Sequence, residues 1–138
     1  ARLQHYKICV EHNPLDLGTK FEYAMSLSKA GEFDKAIPLF QEASRDPAKK
    51  IAALNETGRC FFQKEWYTDA IDIFLQALES CEIKDSQTAK DIRYNLARRY
   101  EEDGQKEKAL EIFRKLAQLD FGFKDVRERV DNLRKAVQ

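Results

Sequence analysis

Residues 24–47 read AMSLSKAGEFDKAIPLFQEASRDP, and their order of small and large apolar side chains decides the fold. Ala36 in this stretch is matched by Ala70, 34 residues later, and by Ala109 in a third copy that five additional residues displace. The large side chain four positions after each alanine also repeats, as Phe40, Phe74 and Phe113. A period of this length indicates stacked two-helix units that bury apolar surface against their neighbours.

The helical periodicity predicts eight helices separated by turn signals. We expect them over residues 3–12, 16–30, 33–45, 48–64, 67–81, 87–103, 106–119 and 122–136. Gly31 and Gly104 each end the first helix of a pair as a left-handed stop. Glu65 occupies the equivalent position, where a positive φ costs a non-glycine residue about 1 kcal/mol. We therefore expect either strain or a changed turn there, with Trp66 packed over the joint.

Small residues recur where two helices of a pair must approach closely. The first helices carry Ala24, Gly58 and Ala97 at this position, and the second helices carry Ala36, Ala70 and Ala109. Because protein interiors are close-packed, a small side chain in one helix makes room for a large one from its neighbour. We therefore expect these six positions to be buried.

Residues 82–89 hold the five-residue insertion between the second and third copies. We expect the extra turn to lengthen one or both flanking helices. Thr88, followed three residues later by Asp91, is similar to a capping box, which predicts Thr88 as the residue that caps the sixth helix.

The charge balance argues against a bulk electrostatic partner. Lys and Arg number 24, and Asp and Glu also number 24, so the net charge is zero. The arginines of the last helix, Arg127, Arg129 and Arg134, are interleaved with acids, so no basic stripe for nucleic acid is predicted. No apolar run approaches the ~20 residues of a membrane span. We expect neither nucleic-acid binding nor membrane contact by this segment.

Three cysteines, Cys9, Cys60 and Cys81, lie at positions where a helix presents a small or apolar residue. We interpret them as buried free thiols, which fits a cytoplasmic protein. The chain starts with Ala1, in the middle of a repeat, so we expect it to be part of a longer protein.

Signs of catalysis are missing from the sequence. His5 and His12 are seven residues apart, and no acidic residue or cysteine completes a metal-binding set with them. No glycine-rich phosphate loop is present, and the acidic run 101–103 is better explained as a solvated face. We therefore predict that the chain is not an enzyme and needs no metal or cofactor.

The repeated positions resemble the tetratricopeptide repeat (TPR) family. The matching residues run Ala24-Leu27-Gly31-Phe33-Ala36-Phe40-Ala43-Pro47, then Gly58-Phe61-Glu65-Tyr67-Ala70-Phe74-Ala77, then Ala97-Tyr100-Gly104-Lys106-Ala109-Phe113. The resemblance implies an all-α fold, a right-handed superhelix of antiparallel helix pairs with about eight helices. It implies a single array with a partial repeat over 1–16, a repeat over 17–50, a repeat plus insertion over 51–89, a repeat over 90–121 and a C-terminal capping helix over 122–138.

The resemblance also implies a function, which is holding a peptide or a partner-protein segment in the concave groove that the first helices line. By repeat position, the candidate groove residues are Phe21, Met25, Ser28, Lys29, Asn55, Arg59, Phe62, Gln63, Tyr94, Arg98 and Glu101. Arg59 and Arg98 occupy equivalent positions, and such a pair is suited to an acidic peptide because arginine binds carboxylates bidentately. The alternative is that both arginines are solvated or pair with nearby glutamates.

Two further hypotheses concern partners. A carboxylate clamp for chaperone tails is not expected, because Phe21, Met25, Glu56, Asp91 and Asn95 occupy its positions. The alternative function is a structural, self-associating scaffold array. In that case the N-terminal half-repeat forms a homodimer through an apolar face that includes Tyr6, Ile8 and Val10.

Overall fold

The computed structural model describes residues 2–13, 15–82 and 86–138, and these residues form eight helices and no strand. Helices α1 to α8 span Arg2–His12, Leu17–Lys29, Phe33–Ala43, Lys50–Gln63, Tyr67–Glu79, Gln87–Glu102, Lys106–Leu119 and Val126–Ala136. The predicted all-α fold is therefore confirmed, and most helix bounds agree with the prediction within two residues. Part of the insertion, residues 83–85, lies outside the described residues.

The first compact unit, Ala1–Ile73, contains a chain of packed helices. Helix α1 packs on α2, α2 on α3, and α3 on α4. The core of this unit combines small and large side chains, namely Ala24, Leu27, Ala36, Ile37, Phe40 and Cys60. Helix α2 begins after Asp16, whose carboxylate accepts hydrogen bonds from the hydroxyl and the backbone N–H of Thr19. These bonds lower the pKa of Asp16 and fix the start of the helix.

The second compact unit, Phe74–Gln138, is built the same way, with α6 packed on α7 and α7 on α8. Phe113 lies at its centre and makes an edge-to-face contact with Tyr94, with ring centroids 5.7 Å apart. The apolar side of α8 covers this core with Val126, Val130 and Leu133. Helix α8, called the cap helix below, therefore covers α7 with one face.

The small residues lie where the repeat pattern predicts them. Ala36, Ala70 and Ala109 are all 0% exposed. The equivalent positions of the first helices, Ala24, Gly58 and Ala97, are buried as well. The alternation of small and large side chains in the sequence is therefore an alternation within the packed core.

Of the two outcomes expected at Glu65, strain or a changed turn, the structure shows the strained backbone. Glu65 has a φ of 65°, close to the 80° of Gly31 and the 79° of Gly104 at equivalent positions. The Trp66 ring stacks on Phe61 with centroids 5.6 Å apart, and the ammonium of Lys64 lies 4.8 Å from the Trp66 ring centroid. These contacts hold the joint closed and offset the strain of a side chain at positive φ.

Replacing Glu65 with glycine is expected to raise the free energy of unfolding by about 0.5–1 kcal/mol, because glycine adopts this φ without steric cost. The matched control is Glu32→Gly, at a turn residue whose φ of −88° suits any amino acid. Urea unfolding followed by circular dichroism measures both. A loss of stability in Glu65→Gly as large as that in Glu32→Gly would contradict the strain assignment.

Two boundaries differ from the prediction. Ser86, not Thr88, caps α6, because its hydroxyl oxygen accepts a hydrogen bond from the backbone N–H of Ala89. Helix α8 begins at Val126 rather than near residue 122. A turn precedes it in which the Phe123 N–H donates to the Asp120 carbonyl and Lys124 has a φ of 44°.

Candidate functional site

An open cavity of about 330 Å³ lies on one face of the first unit. We call it the α2–α4 groove, and it is lined by Met25, Ser28, Lys29, Phe33, Glu56, Arg59 and Gln63. The spacing of three and four residues within α2 and within α4 places these side chains on one face of each helix. The repeat pattern thus brings together five of the predicted groove residues, which are Met25, Ser28, Lys29, Arg59 and Gln63.

Charge in the α2–α4 groove is unevenly distributed. Lys29 and Arg59 face a single acid, Glu56, whose Oε1 lies 3.4 Å from Nη1 of Arg59. The Arg59 side chain is 57% exposed. An exposed pair of this kind contributes at most about 1 kcal/mol, and a guanidinium has five N–H donors. The pair therefore leaves Arg59 able to bind a carboxylate from another molecule, with Met25 and Phe33 as apolar neighbours.

The other candidates of the first unit have packing roles outside the groove lining. Phe21 makes an edge-to-face contact with Phe40 at 5.5 Å and lies beneath the ammonium of Lys49. Phe62 packs on Tyr67 with ring centroids 5.4 Å apart. Asn55 is half-buried. The two phenylalanines support the helices that carry the groove.

Tyr94 belongs to the core of the second unit and is buried beneath the cap helix. Its hydroxyl lies 2.5 Å from a carboxylate oxygen of Asp125, and the guanidinium of Arg129 lies 5.9 Å from its ring centroid. Arg129 also reaches Glu101 at 2.7 Å, which ties α8 to α6. Partial burial on its own would raise the pKa of Asp125, but the bonds from Tyr94 and Arg129 outweigh it and lower that pKa.

Arg98 lies on α6 and pairs with Glu102, with 3.8 Å between Nη2 and Oε1. Its Nε is buried and has no hydrogen-bond partner among the residues that the structure describes. Arg59 and Arg98 thus each have a glutamate partner on their own helix, the arrangement that the alternative interpretation anticipates. Since they belong to different compact units, a two-arginine grip stays a prediction.

Phe33, like Glu56, lines the groove but is absent from the candidate set. It is the first residue of α3, directly after the Gly31 turn, and it lines the cavity beside the end of α2. The signal for it is in the repeat pattern, since Phe33, Tyr67 and Lys106 occupy the same position after the turn. Two aromatic residues at a turn position suggest contact with the first helix of the pair.

The titratable side chains of the described residues do not gather into a metal site. Within residues 2–13, 15–82 and 86–138, no group of three His, Cys, Asp or Glu side chains is placed to hold a metal ion. Burial raises the pKa of the Cys60 thiol, so this cysteine is a poor nucleophile. Cys60 and Cys81 are buried, whereas Cys9 is only half-buried and lies 3.7 Å from the His5 ring. No helix in the described part is long and apolar enough to cross a membrane.

Solved structures resemble this chain in fold at low sequence identity. MamA superposes with a TM-score of 0.82 at 19% identity, covering 97% of this chain and 75% of MamA. YrrB, described as a TPR protein with an unusual peptide-binding site, has a TM-score of 0.71 at 22% identity over 91% of this chain and 62% of its own. A putative kinesin light chain of Podosopora anserina with nearly identical TPR-like repeats reaches 0.65 at 19% identity, over 78% and 56%. No curated protein sequence matches significantly.

Family profiles agree with this fold. A tetratricopeptide repeat profile matches residues 22–87, and a second one matches residues 91–123. The two matches cover more than two thirds of the chain and include the buried alanines Ala36, Ala70 and Ala109. With the paired helices and the glycine-type turns described above, they show that the chain belongs to the tetratricopeptide repeat family.

Proposed function

We propose that this chain is a non-catalytic protein-interaction module whose α2–α4 groove binds a peptide segment bearing carboxylate groups. Repeats of this family are generally interaction modules rather than catalysts, which supports the general role. YrrB, a neighbour in fold, is described as having a peptide-binding site. The observation that carries the proposal is the groove itself, an open cavity that combines Arg59 and Lys29 with Met25 and Phe33.

The chemistry of the groove favours an acidic peptide over a neutral one. Lys29 and Arg59 together carry two positive charges against the one negative charge of Glu56. A carboxylate that replaces Glu56 as the partner of Arg59 gains a bidentate contact, whereas the present pair meets at one guanidinium nitrogen. Met25 adapts its shape to the ligand side chain because its thioether chain is flexible.

The proposal rests on the first unit and does not require Tyr94 or Arg98. The Tyr94 hydroxyl is committed to Asp125, so its ring supports the cap. Arg98 belongs to the other compact unit and pairs with Glu102.

We expect Arg59→Glu to weaken the binding of acidic peptides at least tenfold, the equivalent of about 1.4 kcal/mol. Peptides selected from a random library on the wild-type chain, then measured by fluorescence anisotropy, provide the test. The matched control is Arg45→Glu, which makes the same charge change on an exposed turn outside the groove. Equal affinities of the wild type and Arg59→Glu for every selected peptide would contradict the proposal.

A second candidate function is self-association through the N-terminal helix. Ile8 on α1 is 42% exposed, and Leu15, just after it, is 88% exposed. Burying two aliphatic side chains of this size favours association by about 3 kcal/mol or more before the entropy cost of pairing.

For this candidate we expect the double variant Ile8→Lys/Leu15→Lys to shift the mass toward monomer. Light scattering coupled to size exclusion, over a hundredfold range of concentration, measures the shift. A wild-type chain that stays monomeric throughout would rule out self-association and leave the groove proposal intact.

A further inference from the structure

A second open cavity, of about 300 Å³, lies on the second unit between α7 and α8. Its walls come from α7, from the turn after it and from α8, and α6 contributes nothing to them. The cavity therefore does not involve α6, which is the helix of this unit that the family resemblance assigns to the concave groove. The function proposed above does not use it.

Three arginines surround this cavity, namely Arg114 on α7 with Arg127 and Arg134 on α8. One acid, Asp131, lines it as well, so two positive charges remain uncompensated. None of the three arginines forms an ion pair with any residue in 2–13, 15–82 or 86–138. Arg129, also on α8, behaves differently because it pairs with Asp125 and Glu101.

The apolar part of the cavity is unusually exposed. Phe121 is 64% exposed although it is a large aromatic side chain, and the guanidinium of Arg127 lies 5.2 Å from its ring centroid. Ala117 and Val130 form the apolar floor. Protein-binding surfaces are enriched in arginine and aromatic side chains. This cavity presents both, exposed around an apolar floor.

We propose that this arginine surface, made of Arg114, Phe121, Arg127 and Arg134, binds an acidic protein segment as a second site. The segment places an apolar side chain beside Phe121, over the floor of the cavity. Its carboxylates pair with the guanidinium groups, and two of them are enough to neutralise the uncompensated charge. The volume is at the lower end of ligand pockets, which suits one or two side chains rather than a cofactor.

Charge complementarity selects a short acidic segment over a nucleic acid. The neighbouring surface of α7 carries Glu107 and Glu111 beside Arg114 and Lys115, and Lys115 pairs with Glu111 at 3.6 Å, so this surface has no excess of positive charge. A phosphate backbone that extends past the cavity finds no further positive charge in excess there, whereas a segment that ends its acidic run at the cavity needs none. The chain as a whole is neutral, so it lacks the long-range attraction on which polyanion binding depends.

The test uses a random peptide library selected on four versions of the full chain. These are the wild type, Arg127→Glu/Arg134→Glu, Lys135→Glu and Arg59→Glu. Lys135 is the matched control because it is exposed in the same last turn of α8 but does not line the cavity. We expect one class of peptides, with two or more acids beside an apolar residue, to bind at least tenfold more weakly to the double variant and equally well to the other three.

Additional variants keep the outcome clear. If circular dichroism shows that the double variant is unfolded, Arg127→Gln/Arg134→Gln takes its place, and Phe121→Ala is expected to weaken the same peptides. The proposal is overturned if no peptide depends on Arg127 and Arg134, or if Lys135→Glu has the same effect. It is also overturned if single-stranded DNA binds the surface more tightly than the selected peptides. Peptides that depend on Arg59 alone would overturn this second site and leave the α2–α4 groove in place.

Discussion

Replacing Phe113 with alanine is expected to lower the free energy of unfolding by about 3–5 kcal/mol, the largest effect of any single change considered. Phe113 is fully buried at the centre of the second unit. Its ring contacts Tyr94 from α6, and the guanidinium of Arg129 from α8 lies 5.8 Å from its ring centroid. Truncation leaves a cavity that three helices line, because the surrounding side chains relax only partly. Urea unfolding monitored by circular dichroism measures the loss.

Phe121→Ala is the matched control for this prediction, since Phe121 is an exposed phenylalanine of the same unit. Truncation of an exposed side chain usually changes stability by about 0.5 kcal/mol or less. Similar losses in Phe113→Ala and Phe121→Ala would mean that Phe113 does not fill a packed core.

The second large effect is expected from overpacking, since Ala36→Leu adds three carbon atoms at a point where helices meet. Ala36 is 0% exposed and shares a cluster with Ala24 and Leu27. Extra methylene groups in a packed core force side chains off their rotamers, and we expect a loss of about 1–3 kcal/mol. The loss appears as a lower urea midpoint with an unchanged slope.

The control for overpacking is Ala52→Leu, an exposed alanine within α4. Leucine and alanine are both good helix formers, so this substitution is expected to change stability by about 0.5 kcal/mol or less. If Ala36→Leu is as stable as Ala52→Leu, the alanine positions do not mark close helix contacts.

The sequence predicts the helices and the buried alanines well, because both depend on local periodicity. Ala36, Ala70 and Ala109 repeat at a fixed position, and each helix must bury the same stripe. The repeat pattern also singles out Glu65, since Gly31 and Gly104 mark that position in the other copies, but it leaves open whether the residue is strained or the turn changes. Because the same local structure occurs in three copies, a feature of the sequence that recurs in each copy indicates the structure at that position.

Features that depend on pairs distant in sequence were harder to predict. Tyr94 occupies a groove position in the repeat pattern, yet Asp125, 31 residues later, binds its hydroxyl and Arg129 covers its ring. The repeated positions in the sequence do not include Asp125 or Arg129, so repetition gives no information about these contacts. The start of α6 at Ser86 also lies in the inserted segment, where the register between copies is lost.

The α2–α4 groove was predicted in part. Repeat position predicts Met25, Ser28, Lys29, Arg59 and Gln63, because residues on one face of a first helix stay on one face when the helices stack. The Glu56 partner of Arg59 was foreseen only as an alternative. A spacing of three residues on a helix allows Glu56 and Arg59 to form an ion pair, but the spacing does not determine the side-chain rotamers that bring the two charges together.

The measurement that tests the central claim most directly is chemical-shift mapping of the 15N-labelled chain with a peptide selected on it. Binding in the α2–α4 groove predicts that the largest amide shifts fall in residues 25–33 and 56–63 and that Arg59→Glu abolishes them. Shifts confined to the remaining helices, or unchanged shifts in Arg59→Glu, would contradict the claim that this groove holds the partner.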